Sequence, residues 1–294
     1  MIMNNNISDI IIVALSLEVA LWPKPGLVTA LDGGCHNDMN ILSFFKSSVT
    51  LRRFFEKSYD LGVATPCRND VVKNISLLRI IGIEAEFAMN KITNNVNTHK
   101  GAIFIFVILA YAVGFIEKDI EYELEDLFEI MAIIGQYILR EDFLIDDDLT
   151  HRHNTTGSLA FKDHQILGIR GVAADGFKEV LNIGIPIFKD AILRTHNLRL
   201  ATLGLLIKYM SILDDTTIMN RKFSIKRLHF VKKISAKCLQ HGGGETILGR
   251  FIIGIMGCIF RQFNISPGGS ADMVALTLTV YFWYFGYPED CLKW

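Results

Sequence analysis

The sequence predicts an all-α protein, a single-domain multi-helix bundle spanning residues 1–294. Three observations carry that prediction. Apolar residues recur at three- and four-residue spacing along almost the whole chain, and strict alternation hardly ever runs beyond about four residues. Half of the 294 residues are hydrophobic, enough for a large buried core. No repeat, low-complexity tract or Pro/Gly/Ser linker divides the chain, and the polar stretch 141–161, rich in Asp and His, reads as a long surface loop within the domain.

The first helix is expected over 6–22, where Pro23 and Pro25 stop it and hold Lys24 on a stiff extended segment. The second, 38–60, is opened by His36 and Asp38, with Asp38 either a plain N-cap or a functional carboxylate. A third covers 69–93. The fourth, 99–117, starts at Asn97-Thr98-His99-Lys100, where Asn97 or Thr98 can cap, and carries the apolar run Ala102–Ile116. The fifth, 121–140, leads into the polar break. The sixth, 174–191, follows a segment in which Arg170 stands between Gly168 and Gly171. A seventh, 197–213, ends at Asp214 and Asp215, and an eighth, 224–240, ends at the glycine triplet 242–244. The ninth, 245–262, carries an apolar run interrupted by Arg250. The tenth, 270–285, follows the tight turn Pro267-Gly268-Gly269, with Ser270 as its N-cap and Asp272 in its first turn.

Composition excludes several classes. Lys and Arg number 30 against 31 Asp and Glu, so no broad positive field exists to recruit nucleic acid or an anionic membrane. Five widely spaced cysteines without a C-x-x-C pair suggest neither a disulfide framework nor a four-cysteine zinc site, and a reducing cytoplasm is the expected compartment. The N-terminal MIMNNNISD lacks the basic region of a signal peptide. Runs such as Ala102–Ile116 and Met273–Tyr287 fall short of the ~18–20 residues a spanning helix needs, so no membrane is expected. A helical membrane-associated protein is the competing class, to be separated by partitioning after detergent-free lysis. His151 and His153 have no third ligand at an obvious spacing and do not read as a metal site.

Chemistry concentrates at the helix junctions. Lys24 is held between two prolines, and His99 and Lys100 fall in the first turn of a helix whose dipole disfavours cations. That local conflict suggests an anionic ligand. Arg170 has the planar fork that grips phosphate, and Gly268, Gly269 and Ser270 let backbone N–H groups approach one, although the stretch is no P-loop. Asp214 and Asp215 end a helix whose dipole disfavours acids, a conflict that asks for a cation. Lys24, Lys100 and Arg170 thus offer positive charge, while Asp38, Asp215 and Asp272 offer oxygen ligands for magnesium. A nucleoside triphosphate with magnesium fits this set better than any other ligand class.

In their order these segments resemble the triphosphoribosyl-dephospho-CoA synthase family, which serves citrate lyase and malonate decarboxylase. The resemblance runs from about Glu18 to Val280. It rests on Glu18, Pro23–Val28, His36 with Asp38-Met39, Asn97–Gly101, Gly168-x-Arg170-Gly171, Gly176-Phe177, Asp215-Thr216 and Ser266–Asp272. It implies an all-helical fold, a magnesium requirement, and transfer of the triphosphoribosyl group of ATP to 3′-dephospho-CoA with loss of adenine. It further implies that the product passes to a transferase that modifies an acyl carrier protein. Asp38, His99 and Asp215 are the expected catalytic groups. Five positions depart from the family pattern: Thr29 stands for Asp, Val172 for Glu, Thr217 for Asn, and Lys222 and Phe223 for the two glycines of Arg-Gly-Gly after Arg221. A valine can neither take a proton nor bind magnesium, so slow adenine release is expected, with a gain in Val172→Glu. The alternative is a diverged relative that keeps the nucleotide pocket but uses another acceptor or has no activity.

Overall fold

In a computed structural model the protein is described over residues 6–119, 121–143, 165–219 and 224–288. The described residues form twelve α-helices and no strand. They are α1 (Ile7–Ala20), α2 (Ile41–Ala64), α3 (Ile75–Ile92), α4 (Lys100–Ile116), α5 (Leu124–Phe143), α6 (Ile169–Ala174), α7 (Ile185–Thr195), α8 (Leu198–Ile212), α9 (Thr216–Met219), α10 (Ile225–Gln240), α11 (Ile247–Phe263) and α12 (Gly268–Phe285). Two short 3₁₀ turns, Arg68–Asp70 and Val72–Asn74, lead into α3.

Two helices make the centre. α4 is apolar on nearly every face and is buried along almost its whole length, from Ala102 to Ile116. α12 is buried from Ser270 to Phe282 save at Asp272. α2 crosses α4 closely because Gly62 and Gly114 meet there; a Cβ on either would strike a carbonyl of the other helix, at Tyr111 or Tyr59. α1 packs on α2 and α12, and α3 on α2 and α4, so the starts of α4 and α12 and the end of α1 converge. No described helix is long and apolar enough to cross a membrane.

Local chemistry sets the boundaries. Asn6 caps α1 by accepting from Ser8 N at 3.0 Å. Asn40, not Asp38, caps α2: its Oδ1 accepts from Ser43 N at 3.1 Å while Ser43 Oγ accepts from Asn40 N at 3.0 Å, a reciprocal box. The expected helix 174–191 is broken instead. Gly176 (φ 71°) and Phe177 (φ 52°) turn the chain left-handed after α6. A π-helical segment, Val180–Gly184, then runs into α7, where Pro186 has no amide proton for a regular bond. The first three residues of the expected loop 141–161 belong to α5. The rest of it, including His151 and His153, lies outside the described residues, as do Arg221, Lys222 and Phe223. The four described cysteines are free.

Candidate active site

The convergence of α1, α4 and α12 encloses a pocket of about 420 Å³. Its wall is assembled from segments far apart in sequence: Glu18 and Lys24, then His36 and Asp38, then Asn97 to Gly101, then Thr217, Ser266 and Asp272. Leu15, Leu27, Phe44 and Ala275 supply apolar surface between them. A few polar groups on a mostly pre-formed cavity of this size is the usual build of a small-molecule site.

Glu18 is buried near the end of α1, and Lys24 is buried on the loop that follows. The Lys24 ammonium donates to Glu18 Oε1 at 2.5 Å and to the Glu18 carbonyl at 2.7 Å. Burial lowers the Lys24 pKa, against the opposing pull of Glu18. His36 Nε2 lies 3.0 Å from Ser266 Oγ, tying the loop before α2 to the loop before α12. Asp38 is exposed on the rim.

His99 sits at the N-cap position of α4, almost fully buried, with Nδ1 2.8 Å from Ser47 Oγ of α2 and its ring edge-on to Phe44. Burial, assisted by the nearby Lys24 charge, lowers its pKa to about 3, so the ring is neutral. The sequence suggested two cations at this helix start; the structure shows one. Lys100 is that cation, exposed at the rim and paired with Glu86 Oε2 of α3 at 2.9 Å.

Asp272 is the pocket's distinctive acid. Its carboxylate packs on Gly101 so closely that a Cβ there would overlap it, and it accepts no hydrogen bond from any described residue. Burial and then the neighbouring carboxylates of Glu18 and Asp215 raise its pKa well above the usual range. A partly buried carboxylate with acidic neighbours and no donors among the described residues is a place that a cation would relieve.

Asp215 and the glycine turn require a correction. Asp215 is buried, and it already holds the amides that the sequence offered to phosphate. Its Oδ2 accepts from Ser270 N at 2.8 Å and Ser270 Oγ at 2.9 Å, and its Oδ1 from Thr217 N at 3.0 Å and Gly269 N at 3.3 Å. The Thr217 hydroxyl lies 2.5 Å from Oδ1 and 2.9 Å from the Ser266 carbonyl, and it accepts from Gly268 N at 2.8 Å. The N–H groups of Gly268, Gly269 and Ser270 are therefore taken by the chain itself, and neither oxygen of Asp215 is open to a metal. α12 begins at Gly268, so Ser270 is inside its first turn and Asp215 is the anion at its positive end. Burial raises the Asp215 pKa, against the pull of these donors.

Arg170 is not brought to the pocket. Its Nε donates to Asp142 Oδ2 of α5 at 2.8 Å, and Arg79 binds the same carboxylate at 2.9 Å, because α6 packs on α5 rather than on α4. Val172 packs with the core and does not line the pocket. Two departures keep the function of an acceptor: Thr29 Oγ1 accepts from Leu31 N at 3.1 Å and Asp32 N at 3.0 Å, as a carboxylate would. Thr217 does the same for Gly268. Among the described residues no group of three or more His, Cys, Asp or Glu side chains is arranged to hold a metal by itself. Sequence reasoning missed Ser47, a buried serine inside an ordinary amphipathic helix with no motif around it.

Comparison with known proteins gives a consistent result. Residues 4–285 match the family model described as ATP:dephospho-CoA triphosphoribosyl transferase. The chain is 31% identical over 300 residues to a probable 2-(5''-triphosphoribosyl)-3'-dephosphocoenzyme-A synthase of Streptococcus mutans serotype c, covering 98% of this chain and 97% of that protein. It is 30% identical over 274 residues to the 2-(5''-triphosphoribosyl)-3'-dephosphocoenzyme-A synthase of Escherichia fergusonii, covering 92% and 88%. It is 33% identical over 263 residues to Protein CitXG of Leuconostoc mesenteroides subsp. cremoris, of which it spans 55%. No solved structure matches.

Proposed function

The chain belongs to the ATP:dephospho-CoA triphosphoribosyl transferase family, and from that premise we propose that it transfers the 5-triphosphoribosyl group of ATP to the 2′-hydroxyl of 3′-dephospho-CoA, releasing adenine. One observation supports this reading above the rest. Most of the polar segments that carry the family resemblance, from Glu18 near the start of the chain to Asp272 near its end, line one pocket. In the reaction the C1′–N9 bond of ATP breaks with its electron pair going to adenine, and a bond forms between C1′ and the acceptor oxygen. The acceptor's proton ends on adenine, so atoms and charge balance. The triphosphate stays on the transferred sugar.

The roles follow from position. Asp272, inside the pocket and without a donor among the described residues, would hold magnesium brought in with the triphosphate. When bound there, magnesium would supply charge neutralisation and orientation for the triphosphate. Lys24 adds a buried positive charge beside it, and Lys100 a rim charge. Asp38, exposed on the rim, takes the proton of the incoming hydroxyl and gives it up to solvent, from which the departing adenine is protonated. The positive charge that develops at C1′ is stabilised by the acidic interior of the pocket. The product is handed to a transferase that modifies an acyl carrier protein.

The test is mass spectrometry of ATP and 3′-dephospho-CoA incubated with the protein and magnesium. Free adenine and a product carrying the triphosphoribosyl mass are expected, and chelation should stop both. ATP binding without adenine release, or release of phosphate alone, would overturn the reading.

A further inference from the structure

His99 is neutral, and a neutral imidazole carries one proton on one of its two nitrogens. Which nitrogen it is decides whether the ring faces the pocket as a base or as a donor. Nδ1 lies 2.8 Å from Ser47 Oγ. Ser47 is fully buried on α2, and its hydroxyl has no other partner among the described residues. If Nδ1 carried the proton and donated to Ser47, the hydroxyl proton would be left in a buried position with no acceptor. If Ser47 donates to Nδ1, both the hydroxyl proton and the Nδ1 lone pair are satisfied, and the ring proton sits on Nε2. Nε2 makes no hydrogen bond among the described residues, and His99 lines the pocket. The ring is held in place by its backbone N–H donating to Met89 Sδ at 3.2 Å and by Phe44 at 5.0 Å between centroids.

We infer that Ser47 donates its O–H to His99 Nδ1 and so fixes the imidazole with its proton on Nε2, where it is a hydrogen-bond donor to a lone pair of the bound nucleotide. Ser47 is then a positioning residue, and His99, which the family resemblance named only as a catalytic group, is a hydrogen-bond donor. The donor role rests on the reading of this pocket as the nucleotide site; the tautomer does not. A neutral donor here can serve a ring nitrogen of the leaving base or an oxygen of the triphosphate, without adding charge beside Lys24.

The experiment is nitrogen NMR of the full chain with labelled histidine, with His99 assigned by its loss in His99→Gln. A protonated Nε2 and a bare Nδ1, unchanged from about pH 5.5 to 8, are expected. A proton on Nδ1, or on both nitrogens at neutral pH, would overturn the tautomer. Adding ATP or inorganic tripolyphosphate, each with magnesium, should then move the Nε2–H signal. A shift with both places the acceptor on the phosphates, and a shift with ATP alone places it on the nucleoside. No shift with either overturns the donor role, whatever the adenine-release assay shows. Ser47→Ala should mix the two tautomers and lower kcat at least about fivefold with the KM for ATP little changed, and Ser47→Thr should restore the single tautomer. If Ser47→Ala keeps the parent's tautomer and kcat, Ser47 does not position the ring.

Discussion

Replacing Asp215 by Ala tests the tie between the α8–α9 loop and α12. In the folded protein the carboxylate receives Ser270 N, Ser270 Oγ, Thr217 N and Gly269 N, with the Thr217 hydroxyl close by. After truncation the Thr217 hydroxyl still reaches the Ser266 carbonyl and Gly269 N keeps Thr217 Oγ1 at 3.3 Å, whereas the buried Ser270 hydroxyl has no second acceptor among the described residues. Ser270 N is the amide left buried and unpaired, at a cost of about 1–3 kcal/mol. Loss of the anion at the α12 N-terminus adds about 1–2 kcal/mol. The relief of no longer burying a carboxylate, whose pKa burial has raised, offsets part of the sum. A net loss of about 2–4 kcal/mol is expected, a large share of a typical domain's stability. Urea unfolding followed by far-UV circular dichroism measures it, with the denaturant slope unchanged. Asp215→Asn should lose roughly half as much, because one acceptor oxygen remains. A loss below about 1 kcal/mol in Asp215→Ala would refute the reasoning and reopen the α12 amides to a ligand.

Other substitutions separate the pocket's charges. Lys24→Met leaves Glu18 buried without its partner, and a loss of about 3–5 kcal/mol of stability together with weaker ATP binding is expected; parent-like thermal unfolding would refute it. Lys100→Ala removes only an exposed, Glu86-paired lysine, so calorimetry should show ATP affinity weakened by less than about 1 kcal/mol. For Asp272 the sign is reversed. Its folded pKa lies above its unfolded one, so the native state binds the extra proton and ionisation costs stability as pH rises from the unfolded value through the folded one. Asp272→Asn should therefore raise the melting temperature of the ligand-free protein at neutral pH while removing magnesium-dependent nucleotide binding; a lower melting temperature would show that the carboxylate is held by donors. Val172→Glu puts a charge into partly buried apolar packing. It should cost roughly 1–3 kcal/mol with no gain in adenine release, contrary to the expectation from motif position alone.

What could be read from the sequence was the part decided locally. α4 was expected at 99–117 and spans Lys100–Ile116, because its cap signals and apolar run are contiguous. The helix expected over 174–191 failed where Phe177 takes a left-handed conformation that no local pattern announces in a non-glycine residue. The pocket's membership was legible in outline: Lys24, His36, Asp38, His99, Lys100, Gly268 and Asp272 do line it. The assignments that failed depend on long-range partners. Asp215 and Ser270 are 55 residues apart, so nothing near either one shows that the acid already occupies the amides. Arg170 looks like a phosphate grip until Asp142, 28 residues earlier, is seen to hold it. Ser47 is one of several serines in α2, and only its distance to His99 distinguishes it.

The capture of the α12 amides by Asp215 also bears on the order in which substrates can load. A helix start that would have welcomed a naked polyphosphate is already neutralised, and the inner wall beyond it carries Glu18 and Asp272 against a single buried ammonium, Lys24. A free nucleotide tetra-anion approaching that wall meets repulsion at close range, where low-dielectric surroundings strengthen it. The same nucleotide carrying its divalent cation meets an unpartnered carboxylate instead. On the proposed reading the protein thus selects the metal complex at entry, and excess metal-free ATP is a poor competitor rather than an inhibitor.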